Sequence, residues 1–324
     1  VGMAIAVDGN PFLAALSPYE AGAAAVAEAV RNVAAVGAVP IALTDCLNFG
    51  NPEIAEVFQD FVDAVRGIGD VARGIGMKDS DEPIPIISGN VSFYNQSSAG
   101  NAILPSPIVC AVGRVSDIAR HATLGMKSTD SRLLLVGERH GELGASAFMR
   151  TVAGGVGAGP PHVRSDEERA MMGAVTDLIE AGLVRACHDI SDGGMVVALA
   201  EMLLGSAPDI EVGADISLGA VVAERTGRAS VGGGVSDSGG RVVDALAACE
   251  LLFCENGGYL LEIGPADTER AIAVLAKRGA WHAEIGRTTA ASGLLVRGYG
   301  VGDVVMSEGA MSAAWLNGAT EVMP

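Results

Sequence analysis

Aromatic residues are scarce in this chain of 324: Phe, Trp and Tyr together make up 4%, although 49% of all residues are hydrophobic. The interior must therefore be built from Ala, Val, Leu and Ile. Positive charge is also short. Lys and Arg number 21 against 39 Asp and Glu, a formal net charge of -18, which argues against a nucleic-acid partner or an anionic membrane surface. A phosphorylated substrate would need local donors and Mg²⁺ to overcome that field. No run reaches the roughly 18 apolar residues of a membrane span. Cys46, Cys110, Cys187, Cys249 and Cys254 include no CxxC pair and have no His at zinc-knuckle spacing. They read as reduced thiols of a cytoplasmic protein. The apolar start Val1-Gly2-Met3-Ala4-Ile5-Ala6-Val7 has no basic flank and no cleavage site, so it reads as a strand. Without an initiator Met, a fragment of a longer protein is expected. No repeat of 20–50 residues is found.

Glycine, by contrast, is abundant at 44 residues, which requires many turns and close backbone approaches. The length accommodates two domains, placed at 1–126 and 127–324. Ser17-x-x-Glu20 with Pro18 forms a capping box that predicts a helix to Val36, stopped by Gly37 and Pro40. A strand over Pro40–Phe49, a helix over about Pro52–Gly76, a polar loop over Met77–Pro85 and strands over Ile84–Ser88 and Ser106–Val115 complete the first domain. Lys127–Ser131 is a polar linker. A buried strand over Arg132–Gly137, a helix and turn over Gly141–Val156 and a second capping box, Ser165-x-x-Glu168, open the second domain. That helix runs to about Ala181. A strand at Val184–Cys187, helices at about Met195–Leu204 and Ala266–Arg278, and strand-rich packing over Ile285–Val305 follow. The fold class is α/β in two domains.

Three polar clusters interrupt these elements. Leu43-Thr44-Asp45-Cys46-Leu47-Asn48-Phe49-Gly50-Asn51-Pro52 and Ser88-Gly89-Asn90-Val91-Ser92-Phe93-Tyr94-Asn95 each lead a short apolar strand into Asp, Asn, Ser and Gly. They read either as polar turns with local Asx bonding or as one pocket of metal-ligand oxygens and hydrogen-bond partners. Gly89, lacking a β-carbon, would let a phosphate or ribose approach the backbone. His188-Asp189-Ile190-Ser191-Asp192-Gly193-Gly194 stands between a strand and a helix N-terminus, where anions bind well, though N-capping by Ser191 or Asp192 explains either residue singly. Glu28 and Asn32 share one helix face, either as a solvated stripe or as two oxygens for Mg²⁺. The glycines of Glu224–Gly240 lack the Lys-Ser/Thr of a P-loop and read as a surface loop.

These segments, together with Ser17-Pro18-Tyr19-Glu20 and Ala27-Glu28-Ala29-Val30-Arg31-Asn32-Val33-Ala34-Ala35-Val36-Gly37, resemble the second half of the phosphoribosylformylglycinamidine synthase family, synthetase subunit. That family belongs to the aminoimidazole ribonucleotide synthetase superfamily, and the resemblance covers most of the chain in order. It implies an ATP-dependent C–N ligase of purine biosynthesis, converting formylglycinamide ribonucleotide to the amidine with ammonia derived from glutamine. It also implies two similar halves packed about a pseudo-two-fold, with the first-domain sheet pairing across the interface. Carried onto this chain, Asp45 and Gly89 would contact ATP, Asn90 would bind Mg²⁺ and Ser92 would touch the substrate. Glu28, Asn32 and Asp189 would be Mg²⁺ ligands, and Ser191 a phosphate contact, at a related nucleotide position.

Two departures qualify the resemblance. The family's catalytic Ser-His-Asn-His-Pro-like motif is absent, so no general base is assigned. Cys254-Glu255-Asn256-Gly257-Gly258 stands where the family often has Glu-Ser-Gln. No glutaminase nucleophile is present, so the implied partners are the enzyme's N-terminal half, a glutaminase subunit and a small bridging subunit. Three readings follow: half of a shared synthetase site, a non-catalytic half with a structural nucleotide, or a stand-alone kinase or synthetase acting on another phosphorylated small molecule. An isolated half is expected to be inactive and to homodimerise through its exposed sheet.

Overall fold

A computed structural model describes residues 1–157, 159–219, 221, 245–298 and 303–322; the glycine-rich 224–240 stretch lies outside them. The first sheet has the order β1-β4-β2-β3, built from β1 (Gly2–Asp8), β2 (Val39–Asn48), β3 (Ile86–Ser92) and β4 (Ser106–Val115). β4 runs antiparallel to both β1 and β2, and β3 is parallel to β2. One face of this sheet is covered by α2 (Pro18–Ala35), whose buried side is almost entirely alanine and valine. α3 (Ala55–Ile75) crosses α2 closely: a β-carbon on Gly67 would overlap the Tyr19 carbonyl, and one on Gly22 the Ala64 carbonyl. The small residues thus let two helix backbones approach where aromatic side chains would hold them apart.

The other face of the sheet is open. In β1 the alternate residues Met3, Ile5 and Val7 are exposed, and register places Val7 in a row with Cys110, Thr44 and Ser88.

The second sheet has the order β11-β10-β7-β9-β5-β8-β6. Within it β5 (Arg132–Val136) is flanked by β8 (Tyr259–Ile263) and β9 (His282–Thr289), with β6 (Val184–Asp189) at one edge and β7 (Gly213–Ser217), β10 (Gly293–Arg297) and β11 (Val304–Met306) towards the other. The apolar run of β5 serves two cores. Leu134 and Val136 point to the face covered by α5 (Ser165–Glu180), and Leu133 and Leu135 to the face covered by α6 (Gly194–Leu204). The first of these cores is continuous with that of α2 and α3, so the two sheets share one interior. No described helix is long and apolar enough to cross a membrane.

Several boundaries differ from the sequence reading. α3 begins at Ala55 because Asn51 Oδ1 accepts the Glu53 N–H at 2.9 Å and holds Pro52–Ile54 in a turn. β3 continues through Gly89 to Ser92 because it pairs with β2 along its whole length. Ser17 caps α2, accepting the Glu20 N–H at 3.3 Å. The second capping box does not form: Arg164 is the cap residue and makes no side-chain cap bond, and Glu168 is spent on an ion pair with Arg31. Between Gly141 and Val156 only α4 (Ala147–Thr151) is helical, capped by Ser146. The sequence reading passed over α1 (Pro11–Leu16), β7, α7 (Ala245–Phe253), β8 and α9 (Glu308–Val322); α8 (Thr268–Arg278) was expected.

Candidate functional site

The first cluster lies on β2 and β3 at the edge of the first sheet. Asp45 pairs with Gly89, Cys46 with Asn90 and Asn48 with Ser92. Because side chains alternate, the expected set divides between two faces. Asp45 and Gly89 lie in the row of buried Val109, on the side that carries the helices, and Asn90 and Ser92 lie on the open side. The space beside Gly89 is taken by the Asp45 carboxylate, which a β-carbon there would overlap. Partial burial holds the Asp45 carboxyl above the usual range. On the open face, Asn90 Nδ2 donates to Cys46 Sγ at 3.4 Å, and Ser92 Oγ donates to Asn95 Oδ1 at 3.2 Å. Asn95 also donates to the Ser92 and Phe49 carbonyls, closing the turn after β3.

Of the second cluster, Glu28 lines a cleft where α2 and the end of β1 meet loops of the other domain, whereas Asn32, Asp189 and Ser191 are not part of its lining. The lining also includes Asp8, Arg31, His162, Asp192 and Glu255. Asn32, one turn after Glu28, donates to Asp189 Oδ2 at 3.4 Å and so joins α2 to the end of β6. Burial, then repulsion from Asp8, pushes the Glu28 carboxyl well up; Arg31 only partly offsets this. Asp8 is itself pushed up to about 6, chiefly by burial. Asp189 takes a further hydrogen bond from His188 at 3.2 Å, whose other ring nitrogen meets Glu201 at 3.1 Å. Burial disfavours the imidazolium, but these two bonds outweigh it and raise His188 to about 9. Ser191 lies in the turn before α6, and its carbonyl accepts the Gly194 N–H at 2.9 Å.

Sequence reasoning missed Asp8 and Glu255. Asp8 carries the same signal as the recognised clusters, an apolar strand running into Asp-Gly-Asn. Glu255 had no such signal. Its Oε1 accepts the N–H of Gly193 at 2.6 Å and of Ala147 at 2.8 Å, so an internal carboxylate already occupies one amide at the start of α6 and one at the start of α4. Burial leads the causes that raise it to about 7.

Oxygen donors from Asp8, Glu28, Asn32 and Asp189 suit a hard divalent cation, and a cation would offset the burial that leads the rise of both Asp8 and Glu28 and the repulsion from Asp8, Asp189 and Asp192 that adds to it at Glu28. No three acidic, His or Cys residues among those described lie close enough to close a shell by themselves. A Mg²⁺ ion held here would need water or phosphate oxygens to complete its shell. A larger cavity of about 550 Å³, lined mainly by apolar residues of α6, α7, β10, β11 and α9, lies apart from both clusters.

A two-domain architecture with an acidic interdomain cleft and a polar strand edge defines the class. The model of the AIR synthase related protein, N-terminal domain, matches residues 1–115, and that of the AIR synthase related protein, C-terminal domain, matches residues 129–297. The chain belongs to the AIR synthase related family and carries both of its domains in that order.

Within the family, it is 42% identical over 274 residues to phosphoribosylformylglycinamidine synthase subunit PurL of Methanothrix thermoacetophila, covering 84% of this chain and 32% of the relative. The same subunit of Moorella thermoacetica is 42% identical over 217 residues, 66% of this chain and 28% of the relative. The chain thus spans about a third of the length of the curated relatives it matches. Among solved structures, T. maritima PurL complexed with FGAR aligns with a TM-score of 0.69 at 17% identity, over 96% of this chain and 46% of that one. The hydrogenase maturation protein HypE in complex with ATP aligns at 0.62 with 15% identity, over 95% and 85%. These structural likenesses establish the fold.

Proposed function

We propose that this chain forms half of a phosphoribosylformylglycinamidine synthase, an ATP-dependent ligase that converts formylglycinamide ribonucleotide to its amidine with glutamine-derived ammonia. The observation that carries the reading is the 42% identity to a PurL subunit over 84% of the chain. In that chemistry ATP activates the amide oxygen and ammonia displaces phosphate, so the protein's work is to hold the groups in line and neutralise charge. Asp45 and Gly89 serve ATP, Asn90 a Mg²⁺ ion and Ser92 the substrate. Their division between two faces of β2 and β3 is compatible with a ligand that wraps the exposed strand edge. Glu28, Asn32 and Asp189 hold Mg²⁺ and Ser191 a phosphate oxygen at a second nucleotide position beside the interdomain cleft. Bound Mg²⁺ supplies charge neutralisation there.

The reading divides the chain into domains 1–126 and 127–324 and places it in the cytoplasm. The open face of the first sheet, with Met3, Ile5 and Val7 exposed, supports pairing with the N-terminal half of the enzyme, and with a second copy when that half is missing. A glutaminase subunit and a small bridging subunit complete the assembly.

The test is ATP-dependent amidine formation from formylglycinamide ribonucleotide and ammonia, with the chain alone and with the N-terminal half added. Activity only in the mixture supports a shared site. Activity of the chain alone overturns the division of labour. Inactivity in both, with Mg·nucleotide binding retained, replaces this reading with a structural nucleotide.

A further inference from the structure

Arg31 and Glu168 come from different domains and meet in the interior. Arg31 lies on α2, Glu168 on the first turn of α5, and their residues are 3% and 4% exposed. Arg31 Nη1 donates to Glu168 Oε1 at 2.6 Å, and Arg31 Nη2 lies 3.6 Å from Glu28 Oε2. Gly257 packs against the pair: a β-carbon there would come 2.5 Å from Arg31 Nη1 and 2.8 Å from Glu168 Oε1. The fully buried Arg139 donates to the Gly257 carbonyl at 2.6 Å and fastens that turn in place.

Stability does not account for this arrangement. Desolvating two charges is repaid only when the remaining donors and acceptors are satisfied, and apolar replacements of similar volume are often as stable or more so. Here Arg31 Nε and Glu168 Oε2 are buried and find no partner among the described residues. What a buried pair does enforce is geometry. Arg31 sits between Glu28, three residues before it, and Asn32, the next residue. Anchoring its guanidinium to α5 fixes the rotation of α2 about its own axis. That rotation decides whether Glu28 faces Asp8 and whether Asn32 reaches Asp189 at the end of β6.

We propose that Arg31 and Glu168 are a positioning pair that assembles the interdomain cation and nucleotide cleft from its two domains. The inference rests on the reading of Glu28, Asn32 and Asp189 as the cation ligands at that cleft. It assigns neither Arg31 nor Glu168 a contact with the ligand. Partners that orient metal ligands from outside the shell typically change metal affinity 10- to 100-fold when removed.

The test titrates the 324-residue chain with Mn²⁺ in the presence of ATP, following free Mn²⁺ by electron paramagnetic resonance, with thermal unfolding measured alongside. Four proteins are compared: wild type, Glu28→Gln, Glu168→Gln, and the double variant Arg31→Met with Glu168→Leu. The expected result is that Glu28→Gln and the double variant each weaken Mn²⁺ binding at least tenfold, while the double variant unfolds no earlier than wild type. Because the double variant removes both members of the pair and strands neither against the other, it guards against Glu168→Gln simply failing to fold, and its thermal unfolding reports the cost of taking Arg31 away from Glu28. Mn²⁺ binding of wild-type strength in the double variant, alongside weakened binding in Glu28→Gln, overturns the positioning role and leaves the cleft intact. Unchanged binding in Glu28→Gln overturns the cleft reading and, with it, this inference.

Discussion

The carboxylate of Asp45 lies over Gly89 on the neighbouring parallel strand, in the space a β-carbon would need. Asp45 is thereby held beside an exposed strand edge by a residue whose contribution is the absence of a side chain. Gly89→Ala is expected to displace the carboxylate and weaken ATP binding about tenfold, a loss near 1.4 kcal/mol. Since β3 is an exposed edge strand, unfolding should shift by less than about 1 kcal/mol. Calorimetric titration with ATP beside a denaturant melt checks both parts.

Glu255 gives the cleft a pH dependence of defined sign. Its folded value of about 7 stands above the ordinary 4.5, with burial the leading cause and Asp192 adding to it. Arg150 and the amides of Gly193 and Ala147 pull the other way. The folded state therefore binds the proton more tightly than the unfolded one. The stabilisation is complete below about pH 4.5 and is lost as pH rises through about 7, a change on the order of 3 kcal/mol. Gln keeps an oxygen for both amides but does not titrate. Glu255→Gln should thus flatten the stability profile between pH 4.5 and 7.5 in urea melts, and an unaltered slope would count against it.

Asp177 on α5 ties the first domain's Met77–Pro85 loop to the second domain. Lys78 Nζ lies 2.6 Å from one of its oxygens, and Arg278 Nε, 2.6 Å from the other, also reaches Asp79 at 2.5 Å through Nη1. Burial raises Asp177, but the bonds from Arg278 and Lys78 outweigh it, and the net shift is downward. Its contribution is present above about pH 3.8 and disappears as pH falls towards the lowered folded value. Asp177→Ala should cost about 1 kcal/mol at neutral pH in low salt, and less in molar NaCl.

The open face of the first sheet predicts concentration-dependent association. Ile5, 58% exposed in the row of Met3 and Val7, should tolerate Lys in the folded monomer. In the paired form that lysine would be buried without a partner. Sedimentation velocity should show wild type as a dimer at micromolar concentration and Ile5→Lys as a monomer. A monomeric wild type would remove the sheet-pairing proposal.

The sequence disclosed elements where a local rule acted alone. Ser17 with Pro18 marked the start of α2, and the run Arg132–Val136 marked a strand buried on both faces. It misled where a residue had a distant claim on it. Ser165-x-x-Glu168 has the spacing of a capping box, but Glu168 is drawn to an arginine 137 positions away. Asp45 and Asn90 looked like one cluster because the chain brings both to strand edges; only the pairing register shows that their side chains leave on opposite faces. Glu255 was illegible because its meaning lies in two amides, Gly193 and Ala147, that loop closure brings to it.

The interior shared by the two sheets bears on how this chain comes apart. Two separate family models cover its two parts, which suggests modules that could be separated at Lys127–Ser131. Yet side chains from α2 and α3 and from β5, α5 and β8 fill a single core. A protease nick in that linker should leave the pieces bound to each other as a non-covalent complex. Amide exchange should likewise report one opening event spanning both parts. Unit of inheritance and unit of cooperative folding do not coincide in this molecule.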